Sequence, residues 1–312
     1  MQILSIGEAL IDFKEKEQEN LTFEGFVGGS PLNVAVAASR LGPQVGFASQ
    51  ISTDMFGEQI MDHLAANGVA PDFVVRSDDP TTLAFVGEDD GEATFTFVGN
   101  GAADRRYDPQ PRPSLPSEIA FIMFGSISLL NEPAASAITD VVAKHQSQAT
   151  VILDPNVRPA LIHSRDEYRA DLARWVTLCD ILKISTQDLG WLYPDKTPEE
   201  VAKGWLRQGP SIVIVTSGSE GVRLFRKGHN VIKLETPEVE VVDTVGAGDT
   251  FTGSLLVALN DRADTLENTP LDALPDETWH DVLTFAAAAA ALNCTRAGAD
   301  PPDRGELEAF IE

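Results

Sequence analysis

The stretch that decides the fold is residues 243–253, which read DTVGAGDTFTG. A β-branched run at 239–242 precedes it, and a helical pattern over 250–259 begins within it. We therefore expect a strand, a glycine turn and a helix in that order. Glycine lets the backbone approach a ligand, and the first N–H groups of a helix lack partners, so this order predicts an anion site. The predicted anion-binding turn consists of Gly246, Ala247 and Gly248.

Asp249 lies at the start of the helix, inside this predicted anion site. Asp is a favoured residue at helix starts, which offers a purely structural explanation. The flanking glycines favour another, since a carboxylate would weaken simple phosphate binding. A base at this position can take the proton of an acceptor hydroxyl while the N–H groups stabilise charge on a transferred phosphoryl group. The stretch thus predicts phosphoryl transfer with Asp249 as the base.

Outside this stretch, short apolar runs alternate with longer helical patterns. The runs have the length of buried parallel strands. They cover residues 3–6, 45–51, 119–124, 150–153, 181–184 and 212–216, and the helical patterns cover 31–41, 57–67, 132–145, 165–179 and 198–207. This alternation predicts an α/β fold with a doubly wound, mainly parallel sheet flanked by helices, in a single domain over residues 1–312.

Two regions interrupt the alternation and read as antiparallel pieces. Residues 22–27, 81–86 and 93–98 predict a small sheet, with a hairpin turn at 89–91. We expect this sheet, built from about residues 13–30 and 80–106, to form a β lid over the ligand edge of the main sheet. A second hairpin is predicted from 222–226 and 231–235. A free edge of the lid could be covered by a second subunit, so we expect a homodimer.

Charge and composition exclude several classes of protein. The chain has 23 Lys and Arg against 48 Asp and Glu, a formal net charge of −25. Such a surface repels nucleic acid and anionic membranes. The apolar run at 285–292 is too short to span a bilayer and predicts a buried helix. Two cysteines without a disulfide framework favour the cytoplasm. The acidity also suggests adaptation to high salt.

Motifs of other enzyme classes are missing from the sequence. There is no GxxxxGK[ST] phosphate loop and no GxGxxG after a strand. No GxSxG nucleophile motif is present, and the five histidines lack the spacing of metal ligands. The phosphoryl-transfer interpretation therefore has no competing motif.

The chain resembles the PfkB (ribokinase-like) carbohydrate kinase family. DTVGAGDTF at 243–251 is similar to the C-terminal signature of that family, and GGSPLNVAVAASRLG at 28–42 is similar to its N-terminal signature. The resemblance extends over essentially the whole chain. It implies a ribokinase-like fold with a β lid, ATP as phosphate donor and Mg²⁺ as metal cofactor.

Several residues match positions where the family contacts the sugar. The resemblance implies sugar contacts from Asp12, at the predicted end of the first strand, and from Gly28, Gly29 and Asn33 in the N-terminal signature. Paired glycines allow close backbone approach, and an amide can both donate to and accept from hydroxyls. The further implied sugar contacts are Gly125 after the strand at 119–124, and Asn156 and Arg158 in the fructokinase-like segment DPNVR.

The nucleotide side is implied by three segments. Lys183, Ser185 and Asp188 align with the family segment N-x-x-E, which organises magnesium through water and phosphates, although Ser and Asp here replace Asn and Glu. The turn TSGSEG resembles the nucleotide loop and contributes Thr216, Gly218 and Gly221. Asn293 lies in a helix and loop that flank adenine and, in many members, a monovalent-cation site, for which K⁺ is the candidate.

Two shorter segments that resemble fructokinase sequences indicate the acceptor sugar. GGSPLNVAV and DPNVR favour fructose, which would be phosphorylated to fructose 6-phosphate. A 2-keto-3-deoxygluconate kinase is an alternative, but Val98 and Gly99 stand where many fructokinases have an aromatic residue and an Arg, and an acidic sugar would need that cation. A nucleoside kinase is a further alternative. A non-catalytic sugar or nucleotide sensor is disfavoured because the base and the anion-binding turn are both present.

Overall fold

The computed structural model describes residues 2–17, 21–89 and 92–312, excluding the side chains of residues 17, 88, 89 and 92–95. The strands are β1 (Ile3–Ile6), β2 (Leu10–Glu17), β3 (Thr22–Gly28), β4 (Val45–Ser52), β5 (Ala70–Ser77), β6 (Thr82–Asp89), β7 (Glu92–Val98), β8 (Phe121–Gly125), β9 (Thr150–Asp154), β10 (Ile181–Ser185), β11 (Ile212–Thr216), β12 (Val222–Arg226) and β13 (Ile232–Leu234).

The main sheet has the order β13-β12-β11-β10-β9-β8-β1-β4-β5 within the described residues. Every neighbouring pair from β11 to β5 is parallel, and β12 and β13 continue the sheet as an antiparallel hairpin. The predicted runs and the second hairpin are confirmed. The direction of winding reverses between β1 and β8, and ligands bind at such a point in open α/β sheets.

Helices cover both faces of the main sheet. They are α1 (Ser30–Arg40), α2 (Met55–Ala66), α3 (Ala134–His145), α4 (Arg165–Val176), α5 (Thr186–Leu192), α6 (Pro198–Trp205), α7 (Ala247–Asn260), α8 (Ala263–Leu266), α9 (Asp276–Cys294) and α10 (Arg304–Ile311). Apolar residues of α1, α2, α7, α9 and α10 form one core with the sheet, and those of α3 to α6 form the other. Among the described residues, none of the helices is long and apolar enough to cross a membrane.

A second sheet, here called the lid, has the order β3-β2-β6-β7. Its two hairpins are antiparallel, and β2 and β6 join them as a parallel pair. The chain enters the lid from the carboxyl end of β1 and again after β5, so the lid rises from the ligand edge of the main sheet. Part of the hairpin turn predicted at 89–91 lies outside the described residues.

Residues 239–242, predicted as a strand, are not one. Val241 and Val242 are 58% and 63% exposed, and the N–H groups of Val242 and Asp243 both donate to the carbonyl of Cys294. This segment is therefore hydrogen-bonded to the end of α9, and it belongs to neither of the two sheets that the structure describes. The prediction was wrong because β-branched residues indicate an extended backbone without indicating a pairing partner.

Candidate active site

Polar side chains collect at the carboxyl ends of the parallel strands, beneath the lid. Gly125 ends β8, Asp154 ends β9 and Ser185 ends β10. Because β8, β9 and β10 are neighbours, these residues lie side by side at one edge. The turn before α7 comes over the same edge and adds Asp249.

Helices α1 and α7 approach each other closely, and Gly253 permits this. A Cβ atom at position 253 would lie 2.8 Å from both the Val34 carbonyl oxygen and the Ala37 Cβ. Only a residue without a side chain fits such a contact without movement of one helix. The two helix N-termini consequently converge on one point, where their dipoles favour negative charge.

Asp249, in the first turn of α7, occupies that point and is held by two residues of α1. One carboxylate oxygen accepts a hydrogen bond from the Ser30 hydroxyl at 2.6 Å, and the other accepts from the Asn33 amide at 2.9 Å. Burial raises the pKa of Asp249, whereas these two hydrogen bonds oppose the rise. Each oxygen keeps an unused lone pair, so the carboxylate is oriented and still able to accept a proton.

The glycine turn has the geometry expected of an anion site. Gly246 adopts a left-handed φ of 76°, and a Cβ there would lie 2.6 Å from the Cβ of Ala299. The N–H of Ala247 donates to Thr244 at 3.3 Å and is therefore engaged. Those of Gly248 and Asp249 donate to no group among residues 2–17, 21–89 and 92–312. These two N–H groups remain for an anion.

A buried ion pair supports the turn from below. Lys183 Nζ lies 2.8 Å from Asp154 Oδ2 and 3.4 Å from the Gly248 carbonyl oxygen. Thr252 donates to the same Asp154 oxygen at 3.0 Å. Burial lowers the pKa of Lys183, but the charge of Asp154 outweighs it, so the pKa is raised and the ammonium stays charged. The other Asp154 oxygen is buried and accepts no hydrogen bond from the part of the chain that the structure describes.

Asp12 lies inside β2, not at the end of the first strand as predicted. Its carboxylate leans over Gly28 in β3, where any Cβ would collide with it. The pKa of Asp12 is raised to about 6: burial raises it most, the charge of Arg158 opposes the rise, and the charge of Asp249 adds to it. Asp12 is thus electrostatically coupled to both Arg158 and Asp249, as residues around one small ligand would be.

Glycines and one asparagine shape the backbone around this pocket. Gly29 has a φ of 110°, and a Cβ there would lie 2.6 Å from the carbonyl oxygen of Glu8. A Cβ at Gly125, whose φ is 150°, would collide with the backbone of Asp154. Asn156 has a left-handed φ of 40°, and its side-chain oxygen accepts from Arg158 at 2.7 Å. Asn156 therefore orients the Arg158 guanidinium.

The predicted nucleotide residues follow the ends of β10 and β11. Ser185 caps α5 by accepting from the backbone N–H of Asp188 at 3.0 Å. Burial, followed by the charge of Asp154, raises the pKa of Asp188 to about 6. Thr216 ends β11, and Gly218 and Gly221 adopt positive φ values of 55° and 99° in the next turn. The loop is open at Gly218, where a Cβ would meet no atom within 4 Å.

Asn293 is completely buried and braces the glycine turn. Its amide donates to the carbonyl of Val245 at 2.8 Å, and its oxygen accepts from Thr250 at 3.2 Å. The structure thus gives Asn293 a supporting position, and its contact with ATP stays a prediction.

The sequence reasoning missed several residues of this site. Ser30 belongs to the N-terminal signature and Thr252 directly follows the C-terminal one, but a hydroxyl beside a glycine or in a helix gives no distinctive local signal. Lys14 in β2 forms an ion pair with Asp243 at 2.9 Å, which ties the lid to the catalytic turn. That pair joins residues 229 positions apart, so no local pattern could have indicated it.

No group of three or more His, Cys, Asp or Glu is placed to hold a metal ion in the described part of the chain. A divalent ion would therefore need ligands from a substrate. The unpartnered oxygen of Asp154 and the carboxylate of Asp188 are oxygen ligands of the kind that Mg²⁺ prefers. These residues fit an ion held mainly by phosphates and water.

A doubly wound sheet whose ligand edge combines a buried carboxylate, an open glycine turn and a lid defines a small-molecule phosphotransferase. The family model of the pfkB family carbohydrate kinases matches residues 1–304. The chain belongs to this family and is a sugar kinase. It is 35% identical over 320 residues to probable fructokinase-2 of Arabidopsis thaliana, covering 99% of this chain and 94% of the relative.

Solved structures agree with this assignment. Fructokinase from Xylella fastidiosa with bound ATP superposes with a TM-score of 0.88 at 30% identity, covering 99% of this chain and 98% of that chain. A double mutant of fructokinase from Vibrio cholerae O395, in its fructose, ADP and potassium ion bound form, also gives a TM-score of 0.88, at 27% identity and with 100% and 98% coverage. The predicted fold class is confirmed.

Proposed function

We propose that this protein transfers the γ-phosphate of ATP to the primary hydroxyl of fructose, giving fructose 6-phosphate and ADP. The observation that carries the proposal is the Asp249 carboxylate, held by Ser30 and Asn33 beside the free N–H groups of the glycine turn. The names of the relatives, which are fructokinases from bacteria and a plant, support fructose as the acceptor.

The reaction is a single in-line displacement. Asp249 takes the proton of the C6 hydroxyl while that oxygen forms a bond to the γ-phosphorus. The bond from the γ-phosphorus to the oxygen bridging the β-phosphate breaks, and its electron pair leaves on ADP. The N–H groups of Gly248 and Asp249 stabilise charge on the moving phosphoryl group. Asp249 afterwards returns its proton to solvent.

The remaining predicted residues divide between the two substrates. Asp12, Arg158 and the backbone at Gly28, Gly29 and Gly125 surround the sugar, with Asn33 and Asn156 as orienting amides. Thr216, Gly218 and Gly221 cradle the nucleotide, with Ser185 beside it. Lys183 acts from beneath the turn, because its charge is already paired with Asp154. Mg²⁺ arriving with ATP would neutralise phosphate charge, with Asp188 and Asp154 as its protein oxygens.

Several conditions of the reaction belong to the proposal as well. A K⁺ requirement is supported by the potassium-bound relative. A homodimer through the lid is supported by the exposed apolar residues Leu21, Phe26 and Val98, which are 74%, 39% and 55% exposed. A cytoplasmic location is supported by two cysteines that form no disulfide.

Replacing Asp249 with Asn tests the assignment of the base. The substitution keeps the shape and removes proton acceptance, so we expect kcat to fall by about 10²–10⁴-fold with little change in fructose affinity. Asp264→Asn, at an exposed carboxylate in α8, is the matched control. ADP release in a coupled assay is the measurement, and a loss of only a few-fold would rule out Asp249 as the base.

A substrate panel tests the acceptor. Fructose, glucose, ribose, 2-keto-3-deoxygluconate and adenosine are compared by kcat/KM for ADP release. We expect fructose to be preferred. Preference for the keto acid or for adenosine would instead favour the acidic-sugar or nucleoside alternative, and tight sugar binding without ADP production would favour a sensor.

A further inference from the structure

Arg105 is an arginine of the lid region. Within the described residues its guanidinium forms no salt bridge, although the charge of the adjacent Asp104 carboxylate interacts with it. Arg105 lies in the short 3₁₀ helix Asp104–Arg106, which follows β7. Its Nε atom is buried and has no hydrogen-bond partner, and no ion pair of Arg105 occurs in the described ranges. The next residue, Arg106, does pair with Asp79 at 2.8 Å. A buried donor is normally hydrogen-bonded, so the Nε–H group of Arg105 is available to an oxygen atom of a ligand.

Gly99 provides the space that the Arg105 guanidinium occupies. A Cβ atom at position 99 would lie 2.9 Å from Nε, Cζ and Nη2 of Arg105. The guanidinium plane therefore rests on the bare backbone of Gly99, and any larger residue would push it away. From the sequence, Gly99 suggested that the lid lacks a positively charged side chain at this point. The structure shows that Arg105, six positions further along the chain, provides one.

The pairing of the lid strands places this cation on the same face as Asp12. Asp12 is opposite Ala84, and Ala84 is opposite Phe97. Paired residues share a face of a sheet, and side chains alternate along each strand. Position 99 comes one residue after the end of β7, and the same alternation continued by one residue puts it on the face of Phe97. Two strand spacings separate β2 from β7, which is about 10 Å.

That face looks into the cleft between the lid and the main sheet. Leu10 and Ala84 form an apolar cluster with Ile127, which follows β8, and Phe97 and Leu161 pack against it. Leu161 follows the segment that carries Arg158. Asp12 and position 99, against which Arg105 lies, thus border the same apolar floor from two different strands of the lid.

We propose that Arg105 is a specificity-determining residue that donates hydrogen bonds to oxygen atoms of the acceptor sugar from the lid. Its planar fork of donors suits vicinal hydroxyls and a carboxylate alike, so it decides how the acceptor is held and which acceptors are accepted. This inference rests on the proposed sugar kinase activity.

Arg105→Ala is the direct test, with Arg106→Ala as the matched control in the same 3₁₀ helix. Loss of a charged hydrogen bond is expected to raise KM for fructose about 10- to 100-fold. KM for ATP is expected to stay within about threefold, because the nucleotide residues lie at the other end of the cleft. Gly99→Ala should act in the same direction, since its Cβ displaces the guanidinium without removing it. Arg106→Ala should leave both KM values unchanged.

Binding measurements separate this inference from the proposed function. Calorimetry with the Asp249→Asn variant, with and without Arg105→Ala, reports fructose affinity when turnover is absent, and the same fold-loss of affinity is expected.

If the wild type phosphorylates fructose while Arg105→Ala and Gly99→Ala leave sugar affinity unchanged, the inference is wrong and the function stands. Equal rises in KM for sugar and ATP would also overturn it, because they would indicate a structural role. A wild type that phosphorylates no sugar of the panel would overturn both. If Arg105→Ala does not fold, Arg105→Lys and Gly99→Ala decide by the same criteria.

Discussion

At the scale of single residues, Glu8 is a carboxylate buried at the point where the sheet reverses its winding. It is 2% exposed, and it accepts hydrogen bonds from the backbone N–H of Ser128 at 3.2 Å and from the Ser128 hydroxyl. Burial raises its pKa to about 7 from an ordinary 4.5, although these hydrogen bonds oppose the rise. Between these two pH values the folded protein keeps a proton that the unfolded chain has released, so stability falls as the pH rises through this window.

Glu8→Gln should remove this pH dependence. Glutamine resembles the protonated acid and carries no charge, so we expect the variant to be about 2–3 kcal/mol more stable than the wild type at pH 8 and similar to it near pH 5. Urea unfolding across this range is the measurement. The control is Glu267→Gln, at an exposed carboxylate. Parallel stability curves for wild type and Glu8→Gln would show that Glu8 is not the titrating group.

Residue chemistry was predictable where it was local. Asp249 and its glycines form one continuous stretch, so their roles followed from the pattern. The bond from Asn33 to Asp249 joins positions 216 apart and depends on how α1 meets α7. Because this contact is not local in sequence, Asn33 was predicted to contact the sugar, and Ser30 was not predicted to belong to the site. The Arg105 guanidinium was missed because its position depends on the space above Gly99.

At the scale of elements, the contact between α1 and α7 sets the geometry of the base. Gly253→Ala would place a methyl group 2.8 Å from Val34 and Ala37. We expect a loss of about 1–3 kcal/mol in stability and a lower kcat, because Ser30 and Asn33 move relative to Asp249. Differential scanning calorimetry and steady-state kinetics provide the measurements.

The same substitution at Gly204 is the control for that prediction. Gly204 lies in α6, where a Cβ would meet no atom within 4 Å. Gly204→Ala should therefore raise stability by about 0.5–1 kcal/mol, since alanine is the better helix former. If both variants behave alike, the close approach of α1 and α7 does not depend on position 253.

Strands were predictable from the sequence when both of their faces are buried. Strand β11, with the sequence IVIVT, is apolar up to its last residue and was located to the residue, whereas β2 and β5 were missed. The sequence of β2, LIDFKEKE, carries charges because one lid face meets solvent or ligand, and β5 is half-exposed at the edge of the main sheet. Edge strands lose the apolar signal because fewer neighbours cover them.

At the scale of the whole molecule, the net charge of −25 dominates long-range electrostatics. Like charges repel more strongly in the compact state, and salt screens them over about 10 Å at 0.1 M and 3 Å at 1 M. We expect Tm to rise from low salt to molar KCl at pH 8, as salt adaptation would require. The rise should shrink at pH 5, nearer the sequence pI of about 4.4. Unchanged Tm between low and molar salt would contradict the adaptation.

The overall architecture could be predicted because it follows from the alternation of apolar runs and helical patterns along the chain. Six apolar runs and the helical patterns between them were enough to define a doubly wound sheet. The strand order and the parallel union of β2 with β6 could not be predicted, because many orders satisfy one alternation. The lid was predicted mainly from the hairpin of β6 and β7, whose partners are adjacent in sequence.

The catalytic carboxylate and its two hydrogen-bond donors lie far apart along the polypeptide. Ser30 and Asn33 come early in the chain, and Asp249 comes late. During synthesis the lid and the first half of the sheet leave the ribosome long before the residue that performs the chemistry. A nascent chain can therefore assemble its sugar-facing surface while it is still incapable of consuming ATP. The base is held in place only when α7 packs against α1, because Ser30 and Asn33 then hydrogen-bond to Asp249.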